Sequence, residues 1–141
     1  MANNIAITQG SGTTMATTDV GGVHHQKVRE SWGKNGKETS EVKYAVISAS
    51  SSGDNTIVAL VASTILRVIS YAFVCNGTVS VTWKSGASTA KSGAMPFVVN
   101  TGIVCPESKR GWFETASGEA IVMNLSAAVA VYGHIAYVEE A

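Results

Sequence analysis

The feature that most constrains the fold is a strict alternation of apolar and polar side chains from Thr78 to Lys84. Val79, Val81 and Trp83 share one face of this segment, whereas threonine, serine and lysine side chains share the other. A period of two predicts a β-strand with one buried face. No window of the sequence has a sustained helical period with capping residues, so we expect an all-β protein.

Short strand-like runs follow one another along the chain from Val42 onward. About eight such runs are spaced about 8–12 residues apart, and turn signals such as Asn76-Gly77 separate them. This spacing predicts an antiparallel β-sandwich or jelly roll. The longest run, Ile65 to Cys75, is apolar on both faces, which predicts that both faces are covered.

The composition of the N-terminal residues predicts an extended arm. Residues 1–20 are small and polar, and such a segment cannot bury enough apolar surface to order itself. We expect a flexible arm that orders against a neighbouring subunit, where Ile5 and Ile7, which alternate with polar residues, would form a short strand. Residues 21–141 are then a single β-sandwich domain.

The sequence divides that domain into two parts. Residues 21–47 contain few large apolar side chains and are expected to form peripheral strands, and residues 55–141 are expected to form the main body. Between them, the serine-rich segment Ser48 to Asn55 is typical of a linker.

The charge content of the chain excludes several classes of partner. Only 14% of residues are charged, 45% are apolar, and ten basic side chains balance ten acidic ones. Nucleic-acid binding and polybasic membrane contact both need a surplus of Lys and Arg, so we expect neither. Few charges on so many apolar and small residues instead predict a protein that associates with itself.

The sequence also predicts that the chain stays in the compartment where it is made. No apolar run reaches the roughly 18 residues of a membrane span. The first residues, Met1-Ala2-Asn3-Asn4, lack the basic and then apolar order of a signal peptide. We therefore expect synthesis in a cytosol without export.

Residues suited to metal binding or redox chemistry are few and scattered. His24 and His25 are adjacent, so in a strand they point to opposite faces, and His134 is far away in sequence. A zinc site needs three or four convergent ligands, so we expect no metal. Cys75 and Cys105 lie in apolar surroundings and are expected to be buried free thiols.

Catalytic motifs are missing from the sequence as well. It contains no Gly-x-Ser-x-Gly nucleophile elbow, no Gly-x-Gly-x-x-Gly and no phosphate-binding loop. Glu107, Glu114 and Glu119 lie beside turns, where carboxylates are normally solvated. We expect no catalytic residues, no cofactor and no enzymatic activity.

The tryptophans suggest two kinds of contact. Trp83 continues the inward stripe of its strand and is expected in the core. Trp32 ends a polar strand and Trp112 follows a charged loop, so both are candidates for subunit contacts or for stacking on a sugar. In a carbohydrate-binding module, Trp32, Trp112 and Tyr132 would be the stacking residues.

Two stretches resemble structural proteins of tailed-bacteriophage virions. The first runs from Asp19 to Arg29 and reads DVGGVHHQKVR. The second is a succession of segments in the body: Arg67 to Tyr71 (RVISY), Val79 to Gly86 (VSVTWKSG), Ser92 to Pro96 (SGAMP), Gly111 to Ala120 (GWFETASGEA), Asn124 to Ala128 (NLSAA) and Val131 to Val138 (VYGHIAYV). This succession is similar to that of small head-decoration (cement) and tail-associated proteins.

The resemblance implies an antiparallel sandwich without catalysis that assembles as a symmetric oligomer in the virion, most simply a homotrimer. We expect a capsid decoration protein that binds across neighbouring major capsid subunits, with itself and the major capsid protein as partners. A tail, adaptor or fibre-associated protein is the alternative in the same class. A module that binds a host-surface glycan is the alternative in another class. The expected assembly contacts are Ile5, Ile7, Val23, His24, His25, Trp32, Trp112 and Tyr132.

Overall fold

The computed structural model describes residues 41–140 in full and the backbone of residues 17–20 and 23–26. These residues form twelve β-strands and no helix. Within the described part of the chain, therefore, no helix is long and apolar enough to span a membrane.

Two of the strands form a separate antiparallel hairpin. Strand β1 (Thr17–Val20) pairs with β2 (Val23–Gln26), so that Asp19 lies opposite His24. This hairpin belongs to a compact unit of residues 1–30, and residues 31–141 form a second unit.

The second unit contains two antiparallel sheets. The first sheet has the order β3–β12–β5, and two short strands, β9 and β10, pair with the other edge of β5. Its strands are β3 (Lys43–Ala49), β5 (Ile65–Cys75), β9 (Thr101–Cys105), β10 (Phe113–Glu114) and β12 (Val131–Glu140). The second sheet has the order β4–β11–β6, with β7 and β8 pairing along the far edge of β6. Its strands are β4 (Gly53–Val58), β6 (Val79–Ser85), β7 (Thr89–Ala90), β8 (Met95–Phe97) and β11 (Ile121–Leu125).

One hydrophobic core joins the two sheets. Ile47, Phe73 and Ile135 of the first sheet belong to the same buried cluster as Val81 and Trp83 of the second. The Trp83 ring packs edge-on against Tyr71 with 5.3 Å between ring centroids. The predicted antiparallel β-sandwich is thus confirmed, as is the inward stripe of Val79, Val81 and Trp83.

The segment Ser48 to Asn55 is not the linker that its composition predicts. Strand β3 continues through Ala49 and β4 begins at Gly53, so only residues 50–52 lie between the strands. Ile47 and Ala49 are buried, and β3 pairs with β12 over its whole length. Ladder pairing with a distant strand outweighs the weak local preference of serine for loops.

A bulge in β5 explains its apolar residues on both faces. Ala136 of β12 pairs with Ser70, but the next residue pairs with Val68, which leaves Ile69 as the additional residue. Ile69 consequently joins Ala136 and Val138 in a small cluster outside the main core. The prediction that both faces of this strand are covered holds at this end, whereas Val74 at the other end is 44% exposed.

Candidate docking face on the first sheet

The outward side of the first sheet presents rows of cross-strand neighbours with apolar side chains. In one row Val46, His134, Ala72 and Val104 are successive partners across β3, β12, β5 and β9. In the adjacent row the successive partners are Ser48, Tyr132, Val74 and Gly102. Together with Tyr44, two positions before Val46 on β3, these residues are called the tyrosine–valine face.

The large apolar side chains of the tyrosine–valine face are open to solvent. Val104 is 77% exposed, Tyr44 and Val46 are each 75% exposed, and Val74 and Tyr132 are about half exposed. Together these five expose on the order of 500 Å². None of the nine residues of the face carries a formal charge other than by protonation of His134. A contiguous, uncharged patch of this size is at the upper part of the range found on monomers, where the largest patch is often functional, so this face is a candidate interaction site.

The outward side of the second sheet provides an internal comparison. Its central row consists of Asp54, Asn124 and Thr82, and Lys84 lies two residues beyond Thr82. The Lys84 ammonium lies 2.8 Å from the Asp54 carboxylate, to which the Asn124 amide also donates. The hydrogen bonds from Lys84 and Asn124 hold the pKa of Asp54 below its usual value. This polar face suits water, so the apolar character of the opposite face is specific to the first sheet.

Charged groups of the first sheet gather at one end and are paired there. Lys43 Nζ lies 2.8 Å from a Glu139 carboxylate oxygen, and Arg67 forms a salt bridge with Glu140. Arg67 also donates to the backbone carbonyl of Lys109 at 2.9 Å. The hydrogen bond to Glu139 raises the pKa of Lys43. These pairs leave the tyrosine–valine face itself without a charged partner group.

Two glycines allow the strands beneath the face to approach closely. A Cβ atom added to Gly102 would lie 1.9 Å from the Phe73 carbonyl oxygen. A Cβ added to Gly133 would lie 2.0 Å from the Ala72 carbonyl oxygen. Both contacts are far shorter than van der Waals distances and both involve backbone, so β9, β5 and β12 require glycine at these positions.

Of the contacts expected from the sequence, Tyr132 lies on the tyrosine–valine face and Trp112 does not. The Trp112 ring packs edge-on against Tyr71 at a centroid distance of 6.3 Å, and its indole N–H donates to the Pro106 carbonyl at 2.8 Å. Trp112 is hydrogen-bonded through its backbone to Val68, whereas Tyr132 pairs with Val74. Six residues of β5 correspond to roughly 20 Å, so these two rings do not form one stacking site.

The remaining expected contacts fall outside the described side chains. Val23, His24 and His25 lie on β2, where only the backbone is described. Ile5, Ile7 and Trp32 lie outside the described residues.

Five exposed residues of this face are not among the contacts expected from the sequence: Tyr44, Val46, Val74, Val104 and His134. One sequence signal points to this face. The apolar side chains on both sides of the segment from Ile65 to Cys75 predict that each side of the strand packs against other protein atoms.

The two cysteines are buried and free, as predicted. Cys75 lies opposite Thr101. Cys105 lies opposite Tyr71, which precedes Cys75 by four residues on β5. Four residues of strand span about 13 Å, well beyond the Cα separation of a disulfide. Burial raises the pKa of the Cys75 thiol, which keeps it protonated.

Other polar groups in the described region serve the fold. The buried Ser85 hydroxyl donates to the Glu119 carboxylate and accepts a 2.8 Å hydrogen bond from the Ala116 amide. Thr115 accepts a 3.0 Å hydrogen bond from the Leu66 amide through its hydroxyl. Both contacts fix the segment between β10 and β11 onto the sandwich. Among residues 41–140 and the two short strands, no three His, Cys, Asp or Glu side chains gather as a metal site would require.

Comparison of the chain with protein-family models, with curated proteins and with solved structures found no match.

Proposed function

We propose that this chain is a non-enzymatic structural protein of a tailed-phage virion, which decorates the head and stabilises it by binding across neighbouring major capsid subunits. The observation that carries the proposal is the contrast between the two outward sheet faces. One presents Val46, Val104 and Tyr44 to solvent, and the other presents Asp54, Thr82 and Lys84. A protein that works in isolation has no use for the first surface, whereas an assembly subunit buries it.

The energetics of such a face favour a repeated assembly. At about 25 cal/mol per Å², burying about 500 Å² of apolar surface contributes about 12 kcal/mol before association costs are subtracted. Those costs are about 4–15 kcal/mol, so one contact alone is weak or moderate. An oligomer that engages several sites of a lattice gains much more, because the later contacts are intramolecular. A homotrimer on a capsid shell meets this condition.

The order of the strands supports the same proposal. The chain alternates between the two sheets. Strands β3, β5, β9, β10 and β12 belong to the first sheet, and the strands between them along the chain, which are β4, β6 to β8 and β11, belong to the second sheet. With β7 and β8 sharing one edge and β9 and β10 sharing another, each sheet is four strands wide. We infer that this is a jelly roll, an architecture of viral capsid domains and also of lectins. Since a fold does not fix a function, the face and the resemblance carry the assignment.

Binding to shells tests the proposal. Purified protein is mixed with expanded shells assembled from the major capsid protein of the phage that encodes it, and the shells are sedimented. We expect saturable, stoichiometric co-sedimentation and a higher melting temperature of the decorated shell. Immunogold labelling of the particle then reports location: label on the head supports decoration, and label on the tail replaces it with the tail-associated alternative. Label on neither, with no binding to shells, overturns the proposal.

The glycan alternative has its own readout in the same protein. Trp112 is half exposed, so a sugar stacked on it would change its fluorescence. Decoration predicts no change on titration with host-surface glycans. A saturable change that Trp112→Ala abolishes would replace the decoration proposal with adhesion.

A further inference from the structure

We infer that the tyrosine–valine face is the surface through which this chain binds a second copy of itself. The inference names the occupant of the face and rests on the proposed function only in treating the face as an assembly surface. Shell binding and self-association are measured separately, so either can fail alone.

Charge is the first reason to assign the face to a second copy. The face lacks Asp, Glu, Lys and Arg, and the chain as a whole carries ten basic and ten acidic residues. A partner with a charged surface would lose hydration on this face without gaining an ion pair. The surface that matches it is another uncharged apolar face, and the chain carries one.

Area is the second reason. Two copies of the five exposed apolar side chains would bury about 1,000 Å² in total, which is the lower limit for a biological interface. The smaller residues of the same rows add to this area, since Ala72 and Gly102 let a facing surface approach the sheet closely. Two tyrosines supply the aromatic area and the hydroxyl groups typical of interface centres.

His134 occupies a central position in this face. It lies between Val46 on β3 and Ala72 on β5, and Tyr132 precedes it by two residues on its own strand. The charged groups nearest the face are paired: Lys43, next to Tyr44 on β3, forms a salt bridge with Glu139, and Arg67 forms one with Glu140.

The experiment is sedimentation velocity of the full chain over a concentration series at neutral pH. We expect oligomers whose fraction rises with concentration. A chain that sediments as a monomer throughout the series would overturn the inference.

Substitutions on the two outward faces test the surface itself. Val46→Lys and Val104→Lys each place a charge at one end of the longest row of the tyrosine–valine face, where these side chains are most exposed, and should weaken self-association at least a hundredfold. Thr82→Lys places the same charge on the outward side of the second sheet and serves as the matched control, with association unchanged. Melting curves and near-ultraviolet circular dichroism verify that all three variants are folded.

Three results would overturn the inference. The first is a wild-type chain that remains monomeric at 100-fold the concentration used for shell binding. The second is equal weakening by Val104→Lys and Thr82→Lys. The third is a monomer in which Tyr44 and Tyr132 are protected from hydroxyl-radical oxidation, since a segment of the same chain would then cover the face. A monomer that still decorates shells retains the proposed function while refuting the inference.

Discussion

Tyr71 lies where the aromatic side chains of the core meet. Its ring packs edge-on against Trp83, Trp112 and Phe113 at centroid distances of 5.3, 6.3 and 6.4 Å. Burial raises the pKa of the Tyr71 phenol, and its hydrogen bond to the Cys105 thiol raises the pKa further. The folded protein therefore keeps this phenol protonated at a pH where an unfolded chain ionises it.

This difference predicts a loss of stability in alkali. An unfolded tyrosine ionises near pH 10 and an unfolded cysteine near pH 8.5. Because Tyr71 and Cys75 both have raised pKa values when folded, their contribution is complete below the unfolded values and is lost as the pH rises above them. We expect the urea midpoint to fall between about pH 8.5 and about pH 11.

A substitution separates Tyr71 from the other groups that titrate in alkali. Tyr71→Phe retains the ring contacts and removes the phenol, so its midpoint should fall less steeply above pH 10 than that of the wild type. Tyr132→Phe, at an exposed position, is the matched control and should leave the slope unchanged. Parallel curves for all three proteins would contradict the assignment.

At the scale of the elements, local alternation was the most informative sequence signal. The strand from Thr78 to Lys84 is confirmed as β6, because a period of two with valine and tryptophan on one side leaves little choice of buried face. The linker predicted for the serine-rich segment from Ser48 to Asn55 is wrong. The strand structure of this segment is set by its pairing with β12 and β11, which are more than sixty residues away in sequence. Composition carries no information about such distant partners.

The tyrosine–valine face could not be predicted as a unit for the same reason. Val46, His134, Ala72 and Val104 come from four strands that are distant in sequence, and each is unremarkable in its own segment. Only the register between the strands places them in one row. Of the residues of this face, Tyr132 alone is among the contacts expected from the sequence. The bulge at Ile69 changes which side chains of β5 point outward, and the two-sided apolar pattern of this strand does not reveal its position.

The close approach of β12 to β5 gives a prediction at the scale of the strands. Gly133→Ala would place a methyl group against the Ala72 carbonyl and the Phe73 Cα, so the two central strands of the first sheet must separate. Overpacking of this kind costs about 1–3 kcal/mol, and sometimes more, in the free energy of unfolding. Urea unfolding at neutral pH measures the loss.

Gly93→Ala is the control for this substitution, because an added Cβ there meets no atom within 4 Å. We expect the control to change the free energy of unfolding by less than about 1 kcal/mol. The change should be stabilising, because alanine reduces the conformational entropy of the unfolded chain. Equal effects of the two substitutions would mean that the strands do not approach as closely as described.

At the scale of the whole molecule, the described sandwich has one outward face suited to water and one suited to a protein. Lys84 and Asn124 both donate hydrogen bonds to Asp54 on the second sheet, whereas Val46 and Val104 on the first sheet are exposed in a single chain. A net charge of zero removes long-range steering toward charged partners. These properties favour the proposed assembly through shape and apolar area over assembly through charge.

Hydroxyl-radical footprinting, read by mass spectrometry, measures directly whether this face is buried in an assembly. The oxidation rates of Tyr44 and Tyr132 are compared between the monomeric Val104→Lys chain and the wild-type protein assembled on particles, with Trp112 as an internal reference away from the face. The account predicts that both tyrosines are oxidised at least severalfold more slowly in the assembled protein, while Trp112 changes less. Equal rates for the two tyrosines in the monomer and on the particle would contradict it.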